Sequence, residues 1–315
     1  MVGSSVCRML KKYGYGDSRK GGKIYTPSRN ELNLLDIQKV REWFKIKKPS
    51  VVIIAAAKVG GIFANSNFPA QFILENIKIQ TNLIETSWLN NVKRLLFLGS
   101  SSIYPKNAQQ PLKEEYLLDG ELEESNQWYS IAKIAGIKLC EALRLEHDFD
   151  AISLIPANLY GPKDNYHNQN CHVMAGFMRR FINAKNKSSK EVVCWGSGNP
   201  LREFLHVDDL GKAIVFALEK WDPKREYAPC DKKGNPLTYL NVGSGEEISI
   251  KNLALKISRE ISYEGSIKWD TNRPDGIPRK LLCSEKFRSL GWEADIDLDI
   301  GIKETLKEIN SRNLF

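Results

Sequence analysis

The chain has 315 residues, of which 42% are hydrophobic and 27% are charged. This composition is typical of a folded globular protein and excludes a collagen-like, low-complexity or disordered chain. The length gives room for one large domain or two modest ones. No run of about 18 uncharged apolar residues occurs, so no membrane-spanning helix is predicted, and no signal peptide is visible.

The charged residues leave a net charge of +8, from 46 Lys and Arg against 38 Asp and Glu. Such an excess could attract nucleic acid or another phosphate-bearing partner, or could be an ordinary solvated surface. The basic cluster between Lys11 and Lys23 is short and carries a single pair of aromatic residues, so we favour the ordinary surface and expect no nucleic-acid binding. The six scattered cysteines predict reduced thiols in a cytoplasmic protein, with no disulfide framework and no metal site.

The first half of the chain alternates apolar strands with helical patterns. Strands are predicted at 49–57, 94–99 and 151–155, and helices at 69–90 and 129–147. Strands that are apolar on both faces and alternate with helices indicate an α/β fold with a Rossmann-like, doubly wound parallel sheet. Ligands of such sheets bind at the carboxyl ends of the strands.

The second half has short strands and Gly-, Pro- and Asn-rich loops. Strands are predicted at 192–195, 239–242 and 267–269, and helices at 208–221, 250–261 and 298–310. We therefore expect a first domain over 1–165 and a smaller α+β substrate domain over 166–315, with some strand exchange between them.

The N-terminal region departs from the dinucleotide-binding pattern. Residues 1–10 predict a helix, but no apolar strand precedes it, and Gly3 is all that remains of the expected Gly-rich turn. We expect Met1 to be an internal methionine of a longer protein; otherwise the sheet should close poorly and bind its dinucleotide weakly. Residues 11–23 are predicted to form a surface loop before the second strand of the sheet.

Two motifs suggest carbonyl–alcohol chemistry. Tyr129 and Lys133 are four residues apart at the start of a predicted helix, so the phenol and the ammonium share a face. A nearby cation should lower the Tyr129 pKa from about 10 toward the working pH. Ser100 follows a strand and can bond the same substrate oxygen. Taken separately, these motifs are also compatible with a surface pair and a polar turn; together they resemble the catalytic set of extended short-chain dehydrogenases/reductases.

Longer strings carry a more specific resemblance over essentially the whole chain. They are Arg29–Asp36, Ala55–Ile62, Leu96–Ser101, Tyr129–Glu141, Asn158–Pro162, Trp195–Gly198, Arg202–Asp209 and Pro274–Lys280. In these strings the chain resembles the GDP-L-fucose synthase family of that superfamily. The resemblance implies NADP-dependent 3,5-epimerisation and 4-reduction of GDP-4-keto-6-deoxy-D-mannose. It also implies a homodimer, for which 79–88 and 134–143 offer apolar faces that could equally pack on the sheet.

By this resemblance, Tyr129 protonates the C4 oxygen, Lys133 holds the phenol and the nicotinamide ribose, and Ser100 supports the same oxygen. Arg29 would bind the NADP 2′-phosphate, as a guanidinium can do bidentately, although it could be an ordinary surface arginine. The implied cofactor-binding set is Gly3, Arg29, Asn33, Leu34, Leu98, Gly99, Ser101, Lys133, Pro156, Asn158, Leu159 and His172.

The resemblance also assigns the epimerisation and substrate residues. C3 and C5 flank a ketone, so each can lose and regain a proton, and His172 matches the acid/base residue of the family. A surface histidine is the alternative. The implied substrate-binding set is Arg180, Trp195, Arg202, Asp275 and Lys280, although Arg180 could simply complement a helix dipole.

One position breaks the family pattern. Ser102 stands where the family has a cysteine, and a hydroxyl is a much poorer base than a thiol. We expect slowed epimerisation with hydride transfer retained, and we give little weight to Cys171 as a substitute. The alternatives are a related nucleotide-sugar reductase or epimerase, and a non-catalytic paralogue that lacks the cofactor.

Overall fold

The computed structural model describes residues 1–168, 171–273 and 275–315. Pro274, which begins one of the family-like strings, lies outside the described residues. The helices are α1 Val2–Lys12, α2 Ile37–Lys47, α3 Ile62–Asn67, α4 Pro69–Leu89, α5 Gln127–His147, α6 Val173–Asn186, α7 Val207–Lys220, α8 Ile250–Ile261, α9 Glu285–Arg288 and α10 Leu298–Ser311. The strands are β1 Val51–Ile54, β2 Arg94–Leu98, β3 Ala151–Pro156, β4 Asn158–Tyr160, β5 Glu191–Trp195, β6 Leu201–His206, β7 Tyr239–Val242, β8 Glu247–Ser249, β9 Ser266–Asp270 and β10 Arg279–Lys280.

The main sheet has the order β1-β2-β3-β7, and all its neighbours are parallel. Strand β3 is buried along its whole length, in agreement with its uninterrupted apolar sequence. The predicted doubly wound parallel α/β sheet is confirmed. Because the strands are parallel, their carboxyl ends lie at one edge, where Leu98 and Pro156 are found.

Helices flank this sheet and bury its apolar side chains. Helix α1 packs along α7, while α4 packs against both α2 and α5. The contact between α1 and α7 is tight: a Cβ on Gly211 would lie 2.6 Å from the Ser5 hydroxyl and 2.8 Å from Met9. The Ser5 hydroxyl also donates to the carbonyl of Val207 at 2.9 Å. Glycine at position 211 thus fixes how closely the N-terminal helix approaches the sheet.

The remaining strands form two small sheets beside the first. One contains β10, β6 and β4 with β8 on β6, and the other pairs β5 with β9. A second hydrophobic core fills this region, with Phe181, Leu253 and Ile257 fully buried in it. Strand β7 returns to the first sheet, so the two regions exchange chain. The division at residue 165 stays a prediction.

Most predicted elements occur where they are expected, and β7 and α8 match to the residue. The predicted second strand is wrong, because within the described residues no strand occurs between α1 and α2. The structure places irregular chain at 21–29 instead, beside an unpaired edge of β1. A strand is defined by hydrogen bonds to a neighbouring strand. Among the described residues, no strand lies between residues 21–29 and β1. Across the described ranges, no helix is long and apolar enough to span a membrane.

Candidate active site

The serine-rich segment and the Tyr-Lys helix meet at the carboxyl edge of the main sheet. Strand β2 ends at Leu98, and Ser100 caps a short 3-10 helix over Ser101–Ile103. The hydroxyl of Ser100 accepts from the Ser102 backbone N–H at 3.3 Å and from the Ser102 hydroxyl at 3.1 Å. Tyr129, on the first turn of α5, interacts with the Ser100 side chain. The predicted juxtaposition of Ser100 and Tyr129 is therefore present.

Lys133 lies one turn further along α5 and is buried. Its Nζ donates to the Leu98 carbonyl oxygen at 2.8 Å and lies 5.7 Å from the centre of the Tyr129 ring. Burial lowers the pKa of Lys133 to about 7. The lysine therefore links the end of β2 to the phenol, and its charge state changes near neutral pH.

The expected direction of the Tyr129 pKa is contradicted. Burial raises the pKa of Tyr129 to about 12, and the hydrogen bond with Ser100 offsets this in part. We expected Lys133 to lower this pKa, but a buried ammonium that loses its proton near pH 7 supplies little charge. In the absence of a ligand, Tyr129 is a protonated phenol that can donate a proton.

Ser130 is a residue that the motif search missed. Its buried hydroxyl lies within hydrogen-bond distance of two acceptors, the Ser102 carbonyl at 2.9 Å and the Asn126 side-chain oxygen at 2.8 Å, and shares its one proton between them. These bonds tie the first turn of α5 to the Ser100–Ser102 segment. Ser130 follows Tyr129 directly in the sequence, and the small polar residue inside the Tyr-x-x-x-Lys pattern was the available signal.

His172 caps the N-terminus of α6, and its side chain stays exposed. Neighbouring protein atoms partly desolvate the imidazole, which lowers the pKa of His172, and the charge of Lys280 lowers it further. Glycine at position 61 lets Cys171, the residue before His172, come close, since a Cβ on Gly61 would lie 2.9 Å from the Cys171 carbonyl oxygen. At neutral pH His172 is therefore a neutral imidazole that can accept a proton.

Trp195 forms an exposed aromatic platform at the end of β5, with 57% of its surface accessible. The guanidinium carbon of Arg180 lies 5.9 Å from its ring centre, and that of Arg273 lies 5.0 Å away. Arg180 is held by a 2.9 Å bond to the Val193 carbonyl. The structure thus joins the predicted Arg180 and Trp195, and it adds Arg273, which no motif had indicated.

Arg202 and Lys280 form a second basic pair on the adjacent strands β6 and β10. Burial lowers the pKa of Lys280 to about 8, and the charge of Arg202 contributes. Burial also lowers the pKa of Arg202, and the negative charge of Glu123 partly offsets the lowering of both pKa values. Since Lys280 also acts on His172, these residues connect the predicted substrate side to the predicted acid/base residue.

Asp275 has a supporting role in this structure rather than a free carboxylate. Its two oxygens accept from the Ser197 N–H at 2.9 Å and the Ser197 hydroxyl at 2.6 Å. Gly196, at φ +80°, leaves room for this carboxylate, since a Cβ there would lie 2.3 Å from it. Asp275 thereby holds the turn that follows Trp195.

A separate large cleft lies beside β1 and contains Gly3, Arg29, Asn33 and Leu34. Arg29 is exposed, and its guanidinium has no partner among the residues that the structure describes. Gly3 lies in the first turn of α1, where a Cβ would meet nothing within 4 Å and where the first N–H groups of a helix have no partner within the helix. These features fit the phosphates of a dinucleotide.

The other predicted cofactor residues lie along the sheet edge. Leu98 and Ser101 are buried beside Lys133 and Ser100, and Gly99 packs under Ile137 and Ile155. Of the remaining three, Pro156 is the last residue of β3, and Asn158 and Leu159 lie in β4. The Asn158 amide already donates to the Glu203 carbonyl at 2.8 Å, which fixes β4 against β6.

Comparisons with known proteins agree with this geometry. The model of the NAD dependent epimerase/dehydratase family matches residues 1–228. A putative GDP-L-fucose synthase 2 of Arabidopsis thaliana is 48% identical over 97% of this chain and 87% of its own length. The GDP-L-fucose synthase of Escherichia coli (strain K12) is 43% identical over 97% of this chain and 92% of its own length.

A solved structure shows the same architecture. It is a GDP-mannoheptose C4 reductase from Campylobacter jejuni with NADP bound, which is 34% identical, with a TM-score of 0.86 over 98% of this chain and 95% of its own. The chain therefore belongs to the NAD dependent epimerase/dehydratase family, and within it to the GDP-L-fucose synthases.

Proposed function

We propose that the chain uses NADPH to convert GDP-4-keto-6-deoxy-D-mannose to GDP-L-fucose by epimerisation at C3 and C5 and reduction at C4. The names of its relatives and the NADP-bound neighbour support this function. The observation that carries it is the meeting of Ser100, Tyr129 and Lys133 at the carboxyl edge of the sheet. The curated GDP-L-fucose synthases among its relatives favour an enzyme over a non-catalytic paralogue.

The dinucleotide would lie across two parts of the molecule. Arg29 suits the 2′-phosphate, since a guanidinium binds phosphate oxygens in a fork, and the start of α1 near Gly3 suits the pyrophosphate. Asn33 and Leu34 would border the adenosine, and Lys133 the nicotinamide ribose. When bound, NADPH supplies the hydride for C4.

The reduction step requires a proton on the C4 oxygen. Tyr129 keeps its proton at neutral pH because burial raises its pKa, and Ser100 can donate a second hydrogen bond to the same oxygen. Lys133 would stabilise the phenolate that remains. The buried Leu98 carbonyl accepts a hydrogen bond from the lysine and so fixes its nitrogen on the side of Tyr129.

Epimerisation requires a base and an acid at carbons next to the ketone. His172 is a neutral imidazole above its lowered pKa and can take the proton from C3 or C5. Ser102 can return a proton from the other side, but its hydroxyl bonds to Ser100 and is a weak acid and base. We therefore propose that proton exchange at C3 and C5 is slow relative to reduction.

The nucleotide would bind in the second region. Trp195, with Arg180 beside it, would stack on the guanine, and Arg202 with Lys280 would neutralise the diphosphate. Asp275 would not contact the nucleotide directly but would hold the turn at Ser197, which follows Trp195. This cluster adjoins His172, so binding of the diphosphate would place the hexose between His172 and Tyr129.

We further propose a homodimer in a reducing, cytoplasmic compartment. Ile131 and Leu145 are exposed and lie about four turns apart on one side of α5, where they could meet a second copy. The six cysteines carry free thiols, as a reducing compartment requires.

The test is product analysis. The purified chain is incubated with GDP-4-keto-6-deoxy-D-mannose and NADPH, and the sugar nucleotide is identified by NMR. We expect GDP-L-fucose with stoichiometric loss of NADPH. A 4-reduced sugar that retains the C3 and C5 configurations would contradict the epimerase part alone, and unconsumed NADPH would contradict the whole proposal.

A further inference from the structure

Glu203 is a fully buried carboxylate that has no part in the reaction as described so far. It lies in β6 directly after Arg202. Because the side chains of a strand alternate between its two faces, the carboxylate lies on the face opposite to the Arg202 guanidinium. A buried charge is costly unless hydrogen bonds satisfy it, so the contacts of Glu203 indicate what it stabilises.

Two backbone N–H groups from separate segments of the chain donate to this carboxylate. The Leu282 N–H donates to Oε2 at 3.0 Å, and the Gly245 N–H donates to Oε1 at 2.7 Å. Burial raises the pKa of Glu203, and these two bonds together with the charge of Arg288 offset the rise in part. The carboxylate therefore links two segments that are distant in the sequence.

The turn between β7 and β8 is shaped to receive the carboxylate. A Cβ on Gly243 would lie 2.2 Å from Oε1 and 2.8 Å from Oε2 of Glu203, so only glycine permits this approach. Gly245 has a φ of +83°, a backbone conformation that favours glycine. The Arg288 guanidinium also holds this turn, through a 2.9 Å bond to the Ser244 carbonyl. The end of β7 is thus fixed on Glu203.

The second segment directly follows Lys280. Strand β10 pairs with β6 in a register that places Lys280 beside Arg202, and the strand ends at this pair. The Leu282 N–H lies just beyond the end of β10, where the Glu203 side chain accepts it. The carboxylate therefore extends the attachment of this segment to β6 past the end of the strand.

Glu203 joins the two sheets that form the active site. Gly245 follows β7 of the main sheet, whereas Glu203 belongs to the small sheet of β4, β6 and β10. Tyr129 lies at the carboxyl edge of the main sheet, and the small sheet contains Arg202 and Lys280. The separation between the phenol and this basic pair therefore depends on the joint at Glu203.

We propose that Glu203 is a positioning residue that holds Arg202 and Lys280 in place relative to the main sheet and thereby aligns the diphosphate of the substrate. Glu203 itself touches neither substrate nor cofactor. The role of the basic pair rests on the proposed function, whereas the attachment of Leu282 and Gly245 to Glu203 does not.

Glu203→Gln tests the attachment. The substitution keeps the size of the side chain, but it replaces one acceptor by an NH₂ group that faces an N–H group. The flanking N–H groups of Leu281 and Cys283 keep their bonds to Gln110 and to the Leu112 carbonyl, so the variant should fold, which circular dichroism checks. We expect faster amide hydrogen exchange at 281–283 and at 243–246, without a change in β2.

Steady-state kinetics test the positioning role. Glu203→Gln should raise KM for GDP-4-keto-6-deoxy-D-mannose about tenfold, with a much smaller change in kcat and an unchanged Kd for NADPH. Asp209 is the matched control, since it is also fully buried and accepts from the N–H groups of Asp295 at 3.2 Å and Ile296 at 2.8 Å. Asp209→Asn should leave KM unchanged, because these bonds attach neither member of the basic pair.

A double variant separates positioning from a general loss of stability. In a Lys280→Met background, Glu203→Gln should raise KM by no more than about twofold, because the residue through which it acts is already absent. A tenfold rise in both backgrounds would overturn the proposal. A tenfold rise in Asp209→Asn would also overturn it, since any buried carboxylate would then have the same effect.

Two further results would overturn the proposal: unchanged hydrogen exchange in Glu203→Gln, and an unchanged KM. A wild-type chain that does not reduce the ketose would contradict the proposed function instead. Calorimetric titration with GDP then replaces KM in the same set of variants. The same tenfold loss of affinity in Glu203→Gln is expected, and equal affinity would overturn the positioning role.

Discussion

The ammonium nitrogen of Lys133 lies 2.8 Å from the Leu98 carbonyl oxygen and 5.7 Å from the centre of the Tyr129 ring. The carbonyl accepts a hydrogen bond from this nitrogen, and among the described residues no carboxylate offsets its burial. The site therefore contains a lysine whose proton is weakly held until a ligand arrives.

This lysine should make stability depend on pH. Folded Lys133 releases its proton near pH 7, whereas an unfolded lysine keeps it to about pH 10.4. Between these values the unfolded chain binds more protons, so the free energy of unfolding should rise with pH through this group. Urea denaturation at pH 7 and pH 9.5 measures the rise, which Lys133→Met should reduce.

The control lies on the same helix. Lys138 pairs with Glu141 at 2.6 Å and is 41% exposed, so Lys138→Met should leave the pH dependence unchanged. An equal reduction in both variants would show that the effect is not specific to the buried nitrogen.

Removal of the phenol tests the reduction step. Tyr129→Phe should lower kcat for NADPH oxidation by about 10²–10⁴-fold, because general acid catalysis contributes that much. Absorbance at the NADPH band follows the rate, and thermal unfolding checks the fold. The control Tyr227→Phe, at a 75% exposed residue, should keep full activity. Undiminished turnover of Tyr129→Phe would exclude the phenol as the proton donor.

The serine at position 102 should limit epimerisation. Ser102→Cys should raise deuterium uptake at C3 and C5 from D₂O about tenfold or more, because a thiol near pKa 8.5 exchanges protons far better than a hydroxyl. Mass spectrometry of the sugar nucleotide measures the uptake. Ser102→Ala should show none of this gain, and an unchanged rate in Ser102→Cys would assign the exchange to other residues.

Arg273 should contribute to binding of the nucleotide through Trp195. Its guanidinium carbon lies 5.0 Å from the ring centre, and an exposed cation–π contact is worth about 0.5–1 kcal/mol. Arg273→Ala should therefore raise KM for the GDP-sugar about two- to fivefold with little change in kcat. Steady-state kinetics measure both, and the exposed Arg225→Ala serves as the control. A fall in kcat without a change in KM would argue against this role.

The sequence predicted the elements whose signals are local. Helix α8 and strand β7 match to the residue because periodic apolar positions and the Ser249 cap mark them. The Ser100–Tyr129–Lys133 set followed from motif order and from the common edge of parallel strands. These features depend on neighbours in the chain or on a general rule of topology.

Features that depend on packing between distant parts of the chain were not predicted from the sequence. The strand predicted after residue 23 would need a hydrogen-bonded partner next to β1, and the local sequence pattern does not show whether such a partner exists. The pKa of Tyr129 was misjudged because the motif names the neighbouring cation but not the depth of burial, which dominates. Arg273 was missed because Trp195, its aromatic partner, lies on β5, far from it in the sequence.

The return of β7 to the main sheet has a consequence for synthesis of the chain. Residues 51–156 supply three of the four strands, but the edge of β3 is covered only when Tyr239–Val242 arrives. On the ribosome, the nascent polypeptide therefore leaves one side of β3 uncovered until most of the second region has emerged. Protection of this side by a chaperone, and its loss once Val242 is translated, would follow from the order of the strands.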